Sequence, residues 1–117
     1  MERDYLSVDD LSPEELAFLL DLSAEVKAKP ADHGGALAGR QVALIFEKPS
    51  TRTRVSFEVA VASTGGHPIP LSSTELQLGR GETIEDTGRV LSRYVDAIVL
   101  RTFEQERLEL LAAAATV

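Results

Sequence analysis

The 117-residue sequence contains no cysteine. This excludes a disulfide frame, a thiolate metal site and a cysteine nucleophile. Histidine is scarce: His33 and His67 lie far apart, without metal-ligand spacing. Positive charge is in deficit, with 12 Lys and Arg against 19 Asp and Glu and a formal net charge of −7. A chain of that sign lacks the basic face that nucleic acid or an anionic membrane requires. No apolar run approaches the length of a membrane span, and Met1-Glu2-Arg3-Asp4 is too polar to begin a secretory signal. The glycine-rich loop of nucleoside-triphosphate sites is missing. Gly79-Arg80-Gly81 is only the first part of a dinucleotide fingerprint, and it follows a loop rather than a strand. The expectation is one cytoplasmic domain, with 44% hydrophobic residues to build its core.

The pattern alternates helices and strands. Ser12-Pro13-Glu14-Glu15 reads as a helix start, with Ser12 as N-cap, Pro13 at the first position and Glu15 completing a capping box. Leu16, Leu19, Leu20, Leu22 and Val26 give an apolar stripe, widened by Ala17 and Phe18. Lys29 to Gly39 reads as a loop, and Gln41 to Phe46 as a buried strand. A helix is predicted from Thr51, with Val55, Val59 and Ala62 at helical spacing and Phe57 in the core, ending at Gly65-Gly66 in a left-handed cap. His67 to Leu71 reads as a strand despite Pro68 and Pro70. A third helix starts at Thr83 or Asp86, with Val90, Leu91 and Tyr94 on its apolar side. Asp96 to Leu100 reads as a buried strand, Glu104 to Ala115 as a last helix, and Thr116-Val117 as the start of another strand. This alternation predicts an α/β fold, a three-layer parallel β-sheet flanked by helices, whose ligands sit at the carboxyl ends of the strands.

Two features fall at those ends. After Phe46 comes Glu47-Lys48-Pro49-Ser50-Thr51-Arg52-Thr53-Arg54, a strand exit rich in hydroxyls and arginines that opens a helix. The first N–H groups of a helix have no intrahelical acceptor and stand at the positive end of its dipole. Ser50, Thr51 and Thr53 add hydroxyls, and Arg52 and Arg54 add forked cationic donors that fit an oxyanion. After Leu100 comes Arg101-Thr102, where a charge at the end of an apolar strand needs a partner or an anion. Plainer roles exist for several of these groups. Ser50 can be a helix cap, Arg54 can form a structural ion pair, Arg80 can be solvated, and Arg89 and Arg93 can pair with nearby acids. Glu75, Glu82, Glu85 and Asp86 read as a solvated loop and an acidic first helical turn, with Glu82 also able to hold Arg52 or Arg54.

The run from Phe46 to Arg54, followed by Ser56-Phe57-Glu58, resembles the carbamoyl-phosphate signature of the transcarbamylases. Gln77-Leu78-Gly79-Arg80-Gly81-Glu82-Thr83, with Asp86-Thr87, resembles the family's mobile loop. The segment from Arg89 to Val99, with Arg101, resembles its next helix and strand. Glu47-Lys48, Gln77-Leu78-Gly79 and Arg101-Thr102-Phe103 resemble the ornithine branch of the family more than the aspartate branch. The resemblance implies that Ser50, Thr51, Arg52, Thr53, Gln77 and Arg101 bind carbamoyl phosphate, with Gln77 offered to a neighbouring subunit of a homotrimer. It also implies that Arg52, Thr53 and Arg101 act in catalysis, that no cofactor or metal is needed, and that L-ornithine binds through a second domain beyond Val117. On this basis residues 1–117 are expected to be a carbamoyl-phosphate-binding domain, cut before the ornithine-binding domain and with little or no turnover alone. Another transcarbamylase activity, or a non-catalytic anion-binding or assembly module, is the alternative.

Overall fold

The computed structural model describes residues 4–72 and 83–117. Among the described residues four α-helices and three strands alternate: α1 (Pro13–Ala28), β1 (Gln41–Phe46), α2 (Thr51–Ser63), β2 (His67–Ser72), α3 (Ile84–Leu91), β3 (Ala97–Arg101) and α4 (Gln105–Ala114). The strands form a parallel sheet in the order β2-β1-β3, with Gln41 opposite His67 and Phe46 opposite both Ser72 and Arg101. The predicted α/β parallel sheet with flanking helices is therefore present.

The core centres on β1. Ala43, Leu44 and Ile45 are fully buried and Val42 nearly so. Successive strand residues face opposite sides of a sheet, so burial of both Leu44 and its neighbours requires cover on both faces. One face is closed by Val61 of α2, which clusters with Val42 and Leu44. Ile84 of α3 and Leu111 of α4 are buried as well. α3 and α4 meet closely at Gly88, where an added Cβ would stand 2.8 Å from Leu111 Cδ1.

Local chemistry explains the element ends. The Ser12 hydroxyl accepts from the Glu15 N–H at 3.1 Å, and the Glu15 carboxylate accepts from the Ser12 N–H at 2.9 Å, the reciprocal box expected from sequence. α2 ends in a Schellman motif: Gly66 N–H donates to Val61 O and Gly65 N–H to Ala62 O, with Gly65 left-handed at φ 88°. β2 accommodates its prolines because it is an edge strand of this sheet. His67 N–H donates inward to Arg40 O, and alternation turns the Pro68 and Pro70 nitrogens toward the outer edge.

Several expectations are corrected. In α2, Val55, Val59 and Ala62 are exposed and Phe57 is 38% exposed, while Val61 faces the sheet. Helical spacing identified an apolar set, but it is Val61, outside that set, that packs against Val42 and Leu44. In α3 the inward set is Ile84, Thr87 and Gly88; Val90 is exposed, and Tyr94, beyond the last turn, is 76% exposed. The α1 stripe is only half-buried at Leu16, Leu19, Leu22 and Val26, and Ala17, Phe18 and Leu20 stand outside it. β3 starts at Ala97 rather than Asp96, because the Asp96 carboxylate accepts the Gln41 N–H at 2.8 Å and closes the end of the sheet. β3 is half-buried rather than buried, being the other edge strand. Ala115 to Val117 adds no strand; Thr116 N–H instead donates to Ser92 Oγ at 3.0 Å. Within the Lys29–Gly39 connection, Pro30–His33 forms a 3-10 turn.

Candidate anion-binding site

β1 delivers the chain to the carboxyl edge of the sheet at Phe46, and α2 leaves that edge from Thr51. Between them lies the hydroxyl- and arginine-rich run. Ser50 occupies the N-cap position of α2 with extended backbone. Its hydroxyl does not cap an amide but donates to Thr53 Oγ1 at 2.8 Å. The first intrahelical bond is Arg54 N–H to Ser50 O, which leaves the amides of Thr51, Arg52 and Thr53 ahead of the ladder. Three amides, two linked hydroxyls and a positive dipole end thus meet at one point.

A cleft of about 380 Å³ opens there, lined by Glu47, Ser50, Thr51, Arg54 and Ser72 among others. Arg52, Thr53 and Arg101 are not in its lining: Arg52 is exposed, Thr53 is half-buried on the first turn of the helix, and Arg101 is half-buried at the end of β3. None of the described residues forms an ion pair with Arg52. Arg54 pairs along its own helix with Glu58 at 3.4 Å and also lines the cleft. With Arg54 53% and Glu58 33% exposed, that pair contributes little to stability. Arg89 likewise pairs locally with Asp86 at 2.8 Å. Gln77, Arg80 and Glu82 lie outside the described residues.

Arg101 ends β3 opposite Phe46. Its Nε is buried without a hydrogen-bond partner, and so is the hydroxyl of the adjacent Thr102. Buried donors without acceptors are costly, and two in succession at a strand end mark a place for an acceptor that the described residues do not supply. The adjoining loops are cross-tied. Glu47 N–H donates to Arg101 O at 2.9 Å. The Arg107 guanidinium grips the Glu47 carboxylate through Nε at 2.8 and 3.1 Å and Nη2 at 2.7 Å. That hydrogen bonding raises the Arg107 pKa above the ordinary arginine value, against desolvation that lowers it. Lys48 Nζ lies 5.7 Å above the Phe103 ring. Sequence reasoning missed these three ties, since each joins residues more than fifty positions apart and no local signal announces them.

The described residues contain no group of three or more His, Asp or Glu placed to hold a metal. None of their helices is long and apolar enough to cross a membrane. The α2 N-terminus can bind a small anion in the cleft, and Arg101 ends the strand paired with β1 without itself lining it.

Comparison with known proteins bears on which anion. Residues 3–117 match the model of the aspartate/ornithine carbamoyltransferase family, carbamoyl-P binding domain. The ornithine carbamoyltransferase of Parafrankia sp. (strain EAN1pec) is 63% identical over 118 residues, covering 98% of this chain and 37% of the relative. That of Anoxybacillus flavithermus (strain DSM 21510 / WK1) is 56% identical over 117 residues, with 98% and 37% covered. Among solved structures, ornithine carbamoyltransferase from Pyrococcus furiosus superposes with a TM-score of 0.88 at 49% identity, covering 99% of this chain and 38% of that one. The anabolic enzyme from Campylobacter jejuni gives a TM-score of 0.90 at 38% identity, with 98% and 37% covered. The chain therefore spans just over a third of the length of the relatives it matches.

Proposed function

The chain belongs to the aspartate/ornithine carbamoyltransferase family, matching its carbamoyl-P binding domain over residues 3–117, and on that premise we propose that it binds carbamoyl phosphate for transfer of the carbamoyl group to L-ornithine. The observation that carries this reading is the amide-rich helix N-terminus at Ser50–Thr53 beside β1, with Arg101 ending the strand paired with β1 and its Nε buried without an acceptor among the described residues. A phosphate with an attached carbonyl needs donors at two separated points. The sequence relatives add the choice of ornithine.

In this reading residues 1–117 form one carbamoyl-phosphate-binding domain. Ser50, Thr51, Arg52 and Thr53 hold the phosphate, and Arg101 reaches phosphate and carbonyl oxygens. Gln77 serves a neighbouring subunit of a homotrimer, and a further domain supplies L-ornithine. The neutral amine of ornithine attacks the carbamoyl carbon. A C–N bond forms and an oxyanion develops, stabilised by Thr53 and Arg101 in the manner of an oxyanion hole. The C–O bond to phosphate then breaks, Arg52 offsets the charge on the leaving group, and the amine proton departs with phosphate. Citrulline and phosphate result, and in this reading the protein serves arginine metabolism in the cytoplasm. Planar guanidinium forks suit these oxygens because each can contact two at once.

The test is citrulline formation by the full-length protein from carbamoyl phosphate and L-ornithine, run beside L-aspartate. Turnover with ornithine alone is expected. Turnover with aspartate alone would move the chain to the other branch of the family, and turnover with neither would leave the non-catalytic anion-binding reading.

A further inference from the structure

Glu47 poses an electrostatic problem. It lines the cleft together with Ser50 and Thr51, and its side chain is 11% exposed. A bare carboxylate at the wall of an anion site would repel the ligand and would itself be costly to bury. Arg107, in the first turn of α4, meets it with a forked pair at 2.7–3.1 Å. Glu85 and Glu104 also lie within electrostatic reach of Arg107. In a chain of net charge −7, this guanidinium is set among acids beside a cleft that must attract negative charge.

We propose that Arg107 is a charge-compensating positioning residue of the anion site, cancelling the Glu47 carboxylate so that the field in the cleft is set by the α2 N-terminus and the site arginines. The proposal rests on the carbamoyl-phosphate reading above. Glu47 has its own reason to be present. Its N–H holds the Arg101 carbonyl and its carboxylate holds α4, so it ties the exit of β1 to both ends of the turn that follows β3. The Glu47 N–H rung, which Glu47→Gln keeps, supplies the geometry at the cleft, and Arg107 removes the penalty of the carboxylate's charge. Arg107 need not touch the ligand.

A purely structural ion pair and a charge-compensating one differ in sign. If the pair only holds α4 in place, losing either partner harms the site alike. If Arg107 compensates charge, Arg107→Gln exposes a carboxylate and weakens anion binding, whereas Glu47→Gln leaves an extra positive charge and does not.

The experiment measures inorganic phosphate affinity by calorimetry, and KM and kcat for carbamoyl phosphate, in the full-length protein. Arg107→Gln is expected to weaken phosphate and raise KM about three- to tenfold, the scale of one uncompensated charge near a partly solvated site. Its kcat should stay within about twofold, and 0.5 M potassium chloride should shrink the defect by screening. Glu47→Gln should bind phosphate at least as tightly as wild type, and the double variant should return to within about twofold of it. Equal weakening in all three variants, or a salt-insensitive defect, overturns the proposal. Should Arg107→Gln fail to fold, weaker phosphate binding by Glu47→Gln is enough to overturn it. Wild-type protein that binds phosphate while Arg107→Gln is indistinguishable from it sinks this inference alone. Wild-type protein that binds neither phosphate nor carbamoyl phosphate sinks the functional reading, and this inference with it.

Discussion

The backbone N–H of Glu47 donates to the carbonyl of Arg101 at 2.9 Å. This rung lies one step beyond the β1–β3 pairing, at the point where the phosphate-type loop and the arginine strand both leave the sheet. The two halves of the candidate site are thus held by main chain, independent of any ligand. Preformed donors avoid paying for their own ordering when the ligand arrives.

Arg101→Lys keeps the charge but loses the planar fork. A drop in kcat/KM for carbamoyl phosphate of about 10²–10³ is expected, with an unchanged melting temperature, because the native Nε has no acceptor to lose among the described residues. Steady-state kinetics beside a thermal melt checks both parts.

Gly65→Ala acts on the fold and not on the site. Gly65 stands at φ 88°, where an added Cβ would lie 3.0 Å from Gly34 O. A loss of about 1–2 kcal/mol is expected from the left-handed backbone, with more if Gly34 cannot move. Denaturant unfolding measures it.

Leu44→Ala removes a fully buried side chain from the central strand. The expected cost is about 3–5 kcal/mol, a large part of the stability of a domain this size. Hydrogen exchange should show the loss spread across the sheet.

Ser12→Ala breaks one half of the α1 capping box, the Ser12 hydroxyl that accepts from Glu15 N–H. About 1 kcal/mol of stability should be lost, with carbamoyl phosphate affinity unchanged, since α1 contributes nothing to the cleft lining. Chemical denaturation and calorimetry separate the two effects.

What was legible in the sequence was local. Ser12-Pro13-Glu15 and Gly65-Gly66 announce helix ends because the capping partners lie within a few residues of one another. Gln41–Phe46 announces a central strand because it must be apolar on both faces. Thr51–Arg54 announces a helix start because its hydroxyls and arginines follow a strand at once. What was not legible was rotational or long-range. Periodicity placed Val55 and Val59 on one stripe of α2 but could not say that Val61 would face the sheet instead. The Pro68-Pro70 strand survives only because β2 is an edge of this sheet, a fact of topology. The Glu47–Arg107 pair spans 60 positions, and no spacing rule joins them. For the site, the motif located Ser50 and Thr51 at the cleft. The unsatisfied donors that single out Arg101 and Thr102 became visible only with the burial of their atoms.

The most direct test of the central claim is calorimetric titration of this chain with carbamoyl phosphate, beside its Arg52→Ala and Arg101→Ala variants. Saturable one-site binding by the wild-type chain, lost or weakened at least tenfold in each variant, is the predicted result. Binding that survives both substitutions, or no binding by a wild-type chain whose circular dichroism shows it folded, would contradict the claim that Ser50–Thr53 and Arg101 form a ready anion site.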